Sequence, residues 1–476
     1  MKKNYYFYFL GILLVLLGTV QSHAQINFIE HPVNDSTDGT CSIYATDIDG
    51  DIDLDVLVAC REDDQILWFR NDGGSPVNWV KIIIGSNVDN AHSVYAADFD
   101  NDGDTDVVGA AYEGSPGIAW WRNDGGNPVV WTKFPVAPGF YNAHEVYACD
   151  LDKDDDFDIL GASSNLNTIS WWRNDGGNPI VWTEETISDS VTLAKSVHVA
   201  DFDNDGDNDV VGAAITAHDV IWWRNDGGSP IQWVEFLVDG NFIGAHRVQA
   251  IDMDNDGDYD ILGAGYLGHQ VAWWRNDGGN PVSWAKQPIG YGVQNACVAY
   301  AIDLDKDDDL DVIATAQGGN EISWWRNDGN GSTSWTKFPV TDNFERPWPV
   351  FAADFDGDDD IDIISGSSHN GSKEIKWWEN DGVVSVLEDQ KTNNINICPN
   401  PSDDIISIKG FMATSVPLTV MLANLPGETI LVKSIPDQNP ELNFSLNISN
   451  VPNGIYVLKL FGGAAIVTRK VVVYHK

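Results

Sequence analysis

Seven times along the chain, aspartates occupy alternate positions of a nine-residue stretch, as in DFDNDGDTD at 98–106. The other copies are DIDGDIDLD (47–55), DLDKDDDFD (150–158), DFDNDGDND (201–209), DMDNDGDYD (252–260), DLDKDDDLD (303–311) and DFDGDDDID (354–362). Their first residues stand at 47, 98, 150, 201, 252, 303 and 354, in steps of 51, 52, 51, 51, 51 and 51. So regular a period implies a repeat architecture in which each unit buries its faces against its neighbours. Crowded carboxylates repel one another and resist desolvation, so the loops make physical sense around a hard cation.

Between aspartate loops, one unit reads AHSVYAADFDNDGDTDVVGAAYEGSPGIAWWRNDGGNPVVWTKFPV from Ala91. Four short β-rich runs (SVYAAD, DVVGAAY, GIAWWRN, VVWTKFPV) alternate with Asp/Gly turns, and none shows a helical period. The fold class expected is all-β: a seven-bladed β-propeller followed by a small Ig-like β-sandwich. The seventh unit stops after KWWENDG (376–382) without a fourth strand, whereas INFIEHPV (26–33) resembles an orphan fourth strand. That N-terminal strand is expected to complete the last blade and close the ring.

Thirteen tryptophans sit in the WW-type motif of the third strand (Trp68, then Trp120/Trp121 through Trp377/Trp378). Adjacent strand residues face opposite ways, so each pair is expected to fill the gaps on both sides of its blade, the alternative being an exposed ladder for stacking sugars. The following RNDGG is a turn in which Asn, Asp and Gly are expected to supply positive φ, with the arginine pairing a nearby acid.

Oxygens at loop positions one, three and five, a carbonyl at seven and a carboxylate at nine can wrap one Ca²⁺ within a single turn. The candidate metal residues are Asp47, Asp49, Asp51, Asp53 and Asp55; Asp98, Asp100, Asp102, Asp104 and Asp106; Asp150, Asp152, Asp154, Asp156 and Asp158; and Asp201, Asp203, Asp205, Asp207 and Asp209. Blades five to seven add Asp252, Asp254, Asp256, Asp258 and Asp260; Asp303, Asp305, Asp307, Asp309 and Asp311; and Asp354, Asp356, Asp358, Asp360 and Asp362. Up to seven Ca²⁺ are expected, and zinc is disfavoured without nearby Cys or His. Position six is Gly103, Gly206 and Gly257 in three loops but Ile52, Asp155, Asp308 and Asp359 elsewhere, which marks the first loop, with Gly50 displaced, as the weakest.

These DxDxDGDxD loops between the first two strands of a blade resemble the FG-GAP or VCBS repeat family, whose propellers also occur in integrin α-subunits. The resemblance spans residues 26–382 and implies structural calcium and functions dominated by adhesion and ligand binding, with some carbohydrate-active members.

With 72 acidic against 27 basic side chains the formal charge is -45, which argues against nucleic acid and anionic membrane as partners. Residues 1–24 have the lysines, apolar stretch and small-residue end of a secretory signal peptide cut after Ala24, so no transmembrane segment is expected in the mature chain. The five cysteines form neither a disulfide framework nor a CxxC site.

Residues 383–394 read as a linker, and 395–476 as a small sandwich without tryptophan. Its PNP, NGIYVLKL and basic TRKVVVYHK together resemble the type A sorting domain of type IX secretion substrates. That resemblance implies a secreted or outer-membrane-attached protein of a Gram-negative bacterium and the type IX machinery as a partner.

Six residues before each loop the units differ: Cys41, His92, His144, Lys195, His246, Cys297 and Trp348. Of these, His92, His144, Lys195, His246 and Trp348 are candidate ligand-binding residues at one mouth of the channel. Longer loops carrying Phe140, Tyr141, Phe242 and Phe344 form a second candidate surface. No HExxH, GxSxG or distinctive carboxylate pair is present, and no catalytic residue is assigned. The reading favoured is a calcium-stabilised binding or adhesion module for a glycan or a surface protein, expected to be a monomer. The alternative is a secreted polysaccharide lyase or glycoside hydrolase on the same propeller.

Overall fold

The computed structural model describes residues 25–113, 117–327, 329, 335–368, 372–384, 396–398, 402, 404–411, 418–424, 429–435, 441–462 and 465–475. The expected signal peptide and residues 385–394 of the expected linker lie outside them. The described residues contain strands and turns but no helix. They divide into two units, one of Asn27–Gly382 and a second that includes Val383–Lys476.

The first unit is a seven-bladed β-propeller of seven four-stranded antiparallel sheets. The inner strands are Thr40–Thr46, Ala91–Ala97, Ala143–Cys149, Ala194–Ala200, Ala245–Ile251, Ala296–Ile302 and Pro347–Ala353. Each packs on the inner strand of the next blade, and the last packs on the first, so the ring is closed. The outer strand of blade seven is Gln25–Asn34, which lies beside Ile375–Val384. Lys376 Nζ to Glu30 Oε1 at 2.8 Å and His31 Nε2 to Glu379 Oε2 at 2.6 Å link the two, and His31 stacks on Trp377.

The WW pairs divide between two cores. Trp68 and Trp121 share the core between blades one and two, Trp120 and Trp172 the next, Trp171 and Trp223 the next, and Trp222 and Trp274 the one after. The first indole of each pair thus faces the following blade and the second the preceding blade, which rules out an exposed ladder. In blade one Phe69 takes the second place. All thirteen motif tryptophans are at most 9% exposed. Small residues on the second strand admit them: a Cβ on Gly212 would lie 2.7 Å from Ile169 and 2.9 Å from Trp223.

In the second unit a three-stranded sheet (Asn396–Cys398, Ile405–Phe411, Glu441–Asn447) and a four-stranded sheet (Thr429–Ile435, Leu418–Asn424, Gly454–Gly462, Ala465–Val473) form a small Ig-like sandwich. Ile406, Ile408, Val420, Leu422, Leu458 and Leu460 are fully buried in its core.

Because each indole fills an inter-blade core, Trp223→Ala is expected to destabilise the propeller by about 3–5 kcal/mol. Denaturant unfolding followed by circular dichroism checks this, and a loss below about 1 kcal/mol would contradict the packing role.

Candidate functional site

Each aspartate loop joins the first and second strands of a blade and is built around its ninth residue. Asp55, Asp106, Asp158, Asp209, Asp260, Asp311 and Asp362 are fully buried. One carboxylate oxygen of each accepts the N–H of the asparagine in the RNDGG turn at 2.7–2.8 Å. The other accepts the N–H of loop position two at 2.9–3.3 Å. The same asparagine reaches the preceding blade, since Asn71, Asn174 and Asn276 each donate an Nδ2 hydrogen to the carbonyl of Phe355, Phe99 or Phe202 at 2.8 Å. Asn and Asp of the turn therefore act through hydrogen bonds. Positive φ falls on the two glycines, for example Gly125 and Gly126, contrary to the expectation that Asn and Asp share it.

In at least five loops the carboxylates of positions one, three and nine bring oxygens within 4.8 Å of one another: Asp47/Asp49/Asp55, Asp98/Asp100/Asp106, Asp150/Asp152/Asp158, Asp201/Asp203/Asp209 and Asp252/Asp254/Asp260. Burial pushes the position-nine carboxyls up to about 7 or 8, although backbone N–H groups oppose it. Asp100, Asp203 and Asp356 at position three are also raised, first by burial and then by the neighbouring aspartate. One oxygen each of Asp100, Asp203 and Asp356 is buried without a hydrogen-bond partner among the described residues. Converging carboxylates with unclaimed, desolvated oxygens fit a hard divalent cation.

Positions five and seven are used differently. Asp102 caps its own loop, accepting the Asp104 N–H at 3.0 Å. Position seven reaches around the ring: Asp156, Asp207, Asp258 and Asp360 take Asn101, Lys153, Asn204 and Lys306 of the preceding loop at 2.6–2.9 Å. Each RNDGG arginine pairs chiefly with the aspartate two residues later, as Arg122 does with Asp124 at 2.6 Å, and lies 3.9 Å from position-three Asp100.

Position six has positive φ in every loop, including Ile52 at 86°. Position four is also left-handed, from Asn255 at 55° to Gly357 at 76° and Gly50 at 77°. Gly50 is thus in register rather than displaced, and only Ile52 is out of character. Ile52 is 87% exposed and buries little. Replacing it with glycine removes a left-handed β-branched residue, so Ile52→Gly is expected to stabilise by about 1–2 kcal/mol. The test is the urea midpoint, and a lower midpoint would contradict it.

The inner strands carry a second constellation. In blades one to five the register between the two inner strands shifts at the second residue of the inner strand, as between Ala91 and Ser93. Such a bulge re-aims side chains. At that position His92 and His144 meet with ring centroids 4.2 Å apart, and His144 and His246 at 5.7 Å. Trp348 packs on His92 at 5.7 Å, on His246 at 5.5 Å and on His144 at 6.5 Å. Four side chains from four blades thus form a plug. Lys195 lies over the Tyr112 ring at 5.8 Å, and burial lowers it to about 8. Cys41 and Cys297 are buried, and burial raises both thiols.

His144 and His246 donate Nδ1–H to the carbonyls of Lys195 and Cys297 at 2.9 Å, whereas neither ring nitrogen of His92 has a hydrogen-bond partner among the described residues. Burial, with Lys195 nearby, lowers all three histidines, His246 to about 3. Arg61 and Arg247 add to the effect at His92, and His92 and His246 to that at His144. The folded values lie below the unfolded 6.5, so their contribution is complete above pH 6.5 and lost as pH falls through and below it. With excess calcium present, stability is expected to fall between pH 6.5 and 5 by up to about 1.4 kcal/mol per pH unit for each histidine. His92→Phe should flatten that slope, measured by thermal melts across pH, and an unchanged slope would refute the assignment.

A third feature, missed by the sequence reading, lies one strand-turn further along. The fifth residues of the inner strands form an aromatic collar. Tyr300, Phe351, Tyr44, Tyr95, Tyr147 and His198 follow one another with centroid spacings of 5.2, 5.7, 4.3, 4.9 and 4.5 Å. Gln249 holds the seventh place. The repeat VYA was visible in two units, but only the ring brings the copies together.

The loop aromatics behave otherwise. Phe140, Phe242 and Phe344 are buried edge-on against Trp172, Trp274 and Trp378 at 4.8–5.2 Å, and only Tyr141 is exposed. Three of the four candidate docking aromatics therefore seal the core.

A propeller with an aspartate loop between the first two strands of every blade defines the class. The chain belongs to the FG-GAP-like repeat family, whose model matches in overlapping pairs at residues 47–109, 98–161, 150–212, 201–263, 252–314 and 303–365. Residues 396–474 match the secretion system C-terminal sorting domain. The chain is thus a secreted or cell-surface propeller whose tail engages the type IX secretion machinery. No helix among the described residues is long and apolar enough to cross a membrane. Solved structures similar to this chain include BBS1N in complex with ARL6DN, soaked with lead, at 12% identity over 75% of this chain and 96% of that one, with a TM-score of 0.49. A protein from Lactobacillus plantarum is 12% identical over 82% of this chain and 99% of its own, with a TM-score of 0.47. No curated protein matches significantly.

Proposed function

We propose that this protein is a calcium-stabilised propeller, exported by type IX secretion, that presents a binding site for a glycan or a protein at the surface of a Gram-negative cell or after release from it. The observation that carries this reading is the division of labour between the repeats. The aspartate loops are near-identical in every blade, while unlike residues gather on the channel side of the inner strands. Sevenfold identity suits a scaffold, and local variation suits a specific site.

Positions one, three and nine supply the carboxylates for each Ca²⁺, with position five at the rim and position seven acting through its carbonyl, because its side chain is used between loops. The ion's role is structural: it neutralises a buried cluster that also anchors the turn and the neighbouring blade. By simple addition seven Ca²⁺ take the formal charge from -45 to about -31. The sorting domain is expected to be removed at the cell surface, leaving a monomeric propeller.

Excess chelator is expected to lower the melting temperature, since emptying one site held at about a hundred times its dissociation constant removes roughly 2.7 kcal/mol. Added Ca²⁺ should restore it and Mg²⁺ should not. Identical melts for metal-free and calcium-loaded protein would sink the calcium assignment. Affinity gels with a polysaccharide panel, assayed for new reducing ends and unsaturated products, test the binding role, and product formation would make the protein an enzyme.

A further inference from the structure

The channel is closed on one side by the plug of His92, His144, His246 and Trp348, of which the three histidines are no more than 7% exposed. Beyond the plug lies a cavity of about 280 Å³ lined by the collar, by the third residues of five inner strands and by the apolar fourth residues of six. The collar residues are half-buried, and each inner strand runs from the collar to its aspartate loop, so the cavity opens on the loop side.

The third position is serine in blades one, two and four. Ser93 and Ser196 each accept the backbone N–H of the next blade's following residue, from Val146 at 3.2 Å and from Val248. Glu145 takes over this role with one oxygen, accepting the Val197 N–H at 2.9 Å. Its other oxygen meets the Arg247 guanidinium at 2.7 Å. Glu145 is buried, whereas the Arg247 side chain is 36% exposed. Two blades therefore replace the repeat's serine with a charged pair facing the cavity. Neighbouring Gln249 accepts the Ala301 N–H through Oε1 at 3.1 Å, which leaves its amide donors free of that bond.

We propose that this blind channel binds the terminal unit of a neutral glycan, a deepening that rests on the binding-module reading above. The collar offers aromatic faces to the C–H face of a sugar ring, and Arg247, Glu145 and Gln249 offer planar groups to its hydroxyls. The charges within the cavity are already paired, so a charged ligand would have to break a partly buried ion pair. An apolar ligand would leave that pair's remaining polar atoms dry. The ring of aspartate loops at the mouth repels polyanions, which excludes uronate-rich chains. The volume lies near the lower bound of roughly 300 Å³ for small-molecule sites and suits one sugar ring. The plug stops a chain from threading through, so an end is bound rather than an internal segment.

The test is calorimetric titration of the full chain, with calcium, by linear neutral oligosaccharides of glucose, galactose, mannose and xylose, by cyclic glucans and by oligouronates. Glu145→Ser with Arg247→Ser is the informative variant, because serine already serves at this position in three blades and the fold should be kept. Binding of a linear neutral oligosaccharide, rejection of the cyclic and acidic probes, and at least a tenfold loss in the double variant at an unchanged melting temperature are expected. Tyr95→Ala should lose a similar factor. Binding that survives both variants, or that favours oligouronates or cyclic glucans, overturns the channel proposal while leaving the propeller a glycan binder. Failure to bind any of these probes, with binding to a protein partner recovered, overturns the channel proposal alone. If the chain binds neither sugar nor protein, the binding-module reading falls with it.

Discussion

The propeller depends on a buried carboxylate repeated in every blade. The ninth aspartate of each loop accepts the N–H of its own loop's second residue and the N–H of the turn asparagine, and that asparagine in five blades also bonds the carbonyl of the previous blade's loop. In blade four Trp222 adds its indole N–H to Asp209 at 3.1 Å. Loop, turn, tryptophan core and neighbouring blade meet at one side chain. A charge so placed is costly unless hydrogen bonds and a counter-ion compensate it, and the convergent aspartates at positions one and three supply a place for that ion.

This arrangement explains why the repeat is so uniform on its outside and variable within. Every blade must reproduce the same loop, turn and indole pair to mate with two neighbours. The channel-facing positions also bond to the next blade, but serine, glutamate and histidine can each do so, and beyond that the side chains need only fill or line the space together. The plug of three histidines and a tryptophan, the aromatic collar, and the Glu145–Arg247 pair arise from that freedom.

Much of the fold was legible in the chain. A period of 51 or 52 and four strand-like runs per unit led to seven blades, and adjacent tryptophans led to two cores per blade, because strand residues alternate faces. Other details misled for local reasons. Gly50 looked displaced because position four, as well as position six, is left-handed, and the loop aromatics looked available because their burial depends on a neighbouring strand.

By itself the sequence determined the repeat, the strand count, the acidic loops and the sorting tail, since these follow from short-range periodicity and composition. Only the tertiary structure decided which of the five loop aspartates converge, and that position seven links neighbouring loops. It also decided that residues from roughly 50 to 300 positions apart form one plugged and collared channel. Ring closure is the physical reason: it places equivalent residues of all seven blades around one axis, a proximity that separation along the chain does not encode.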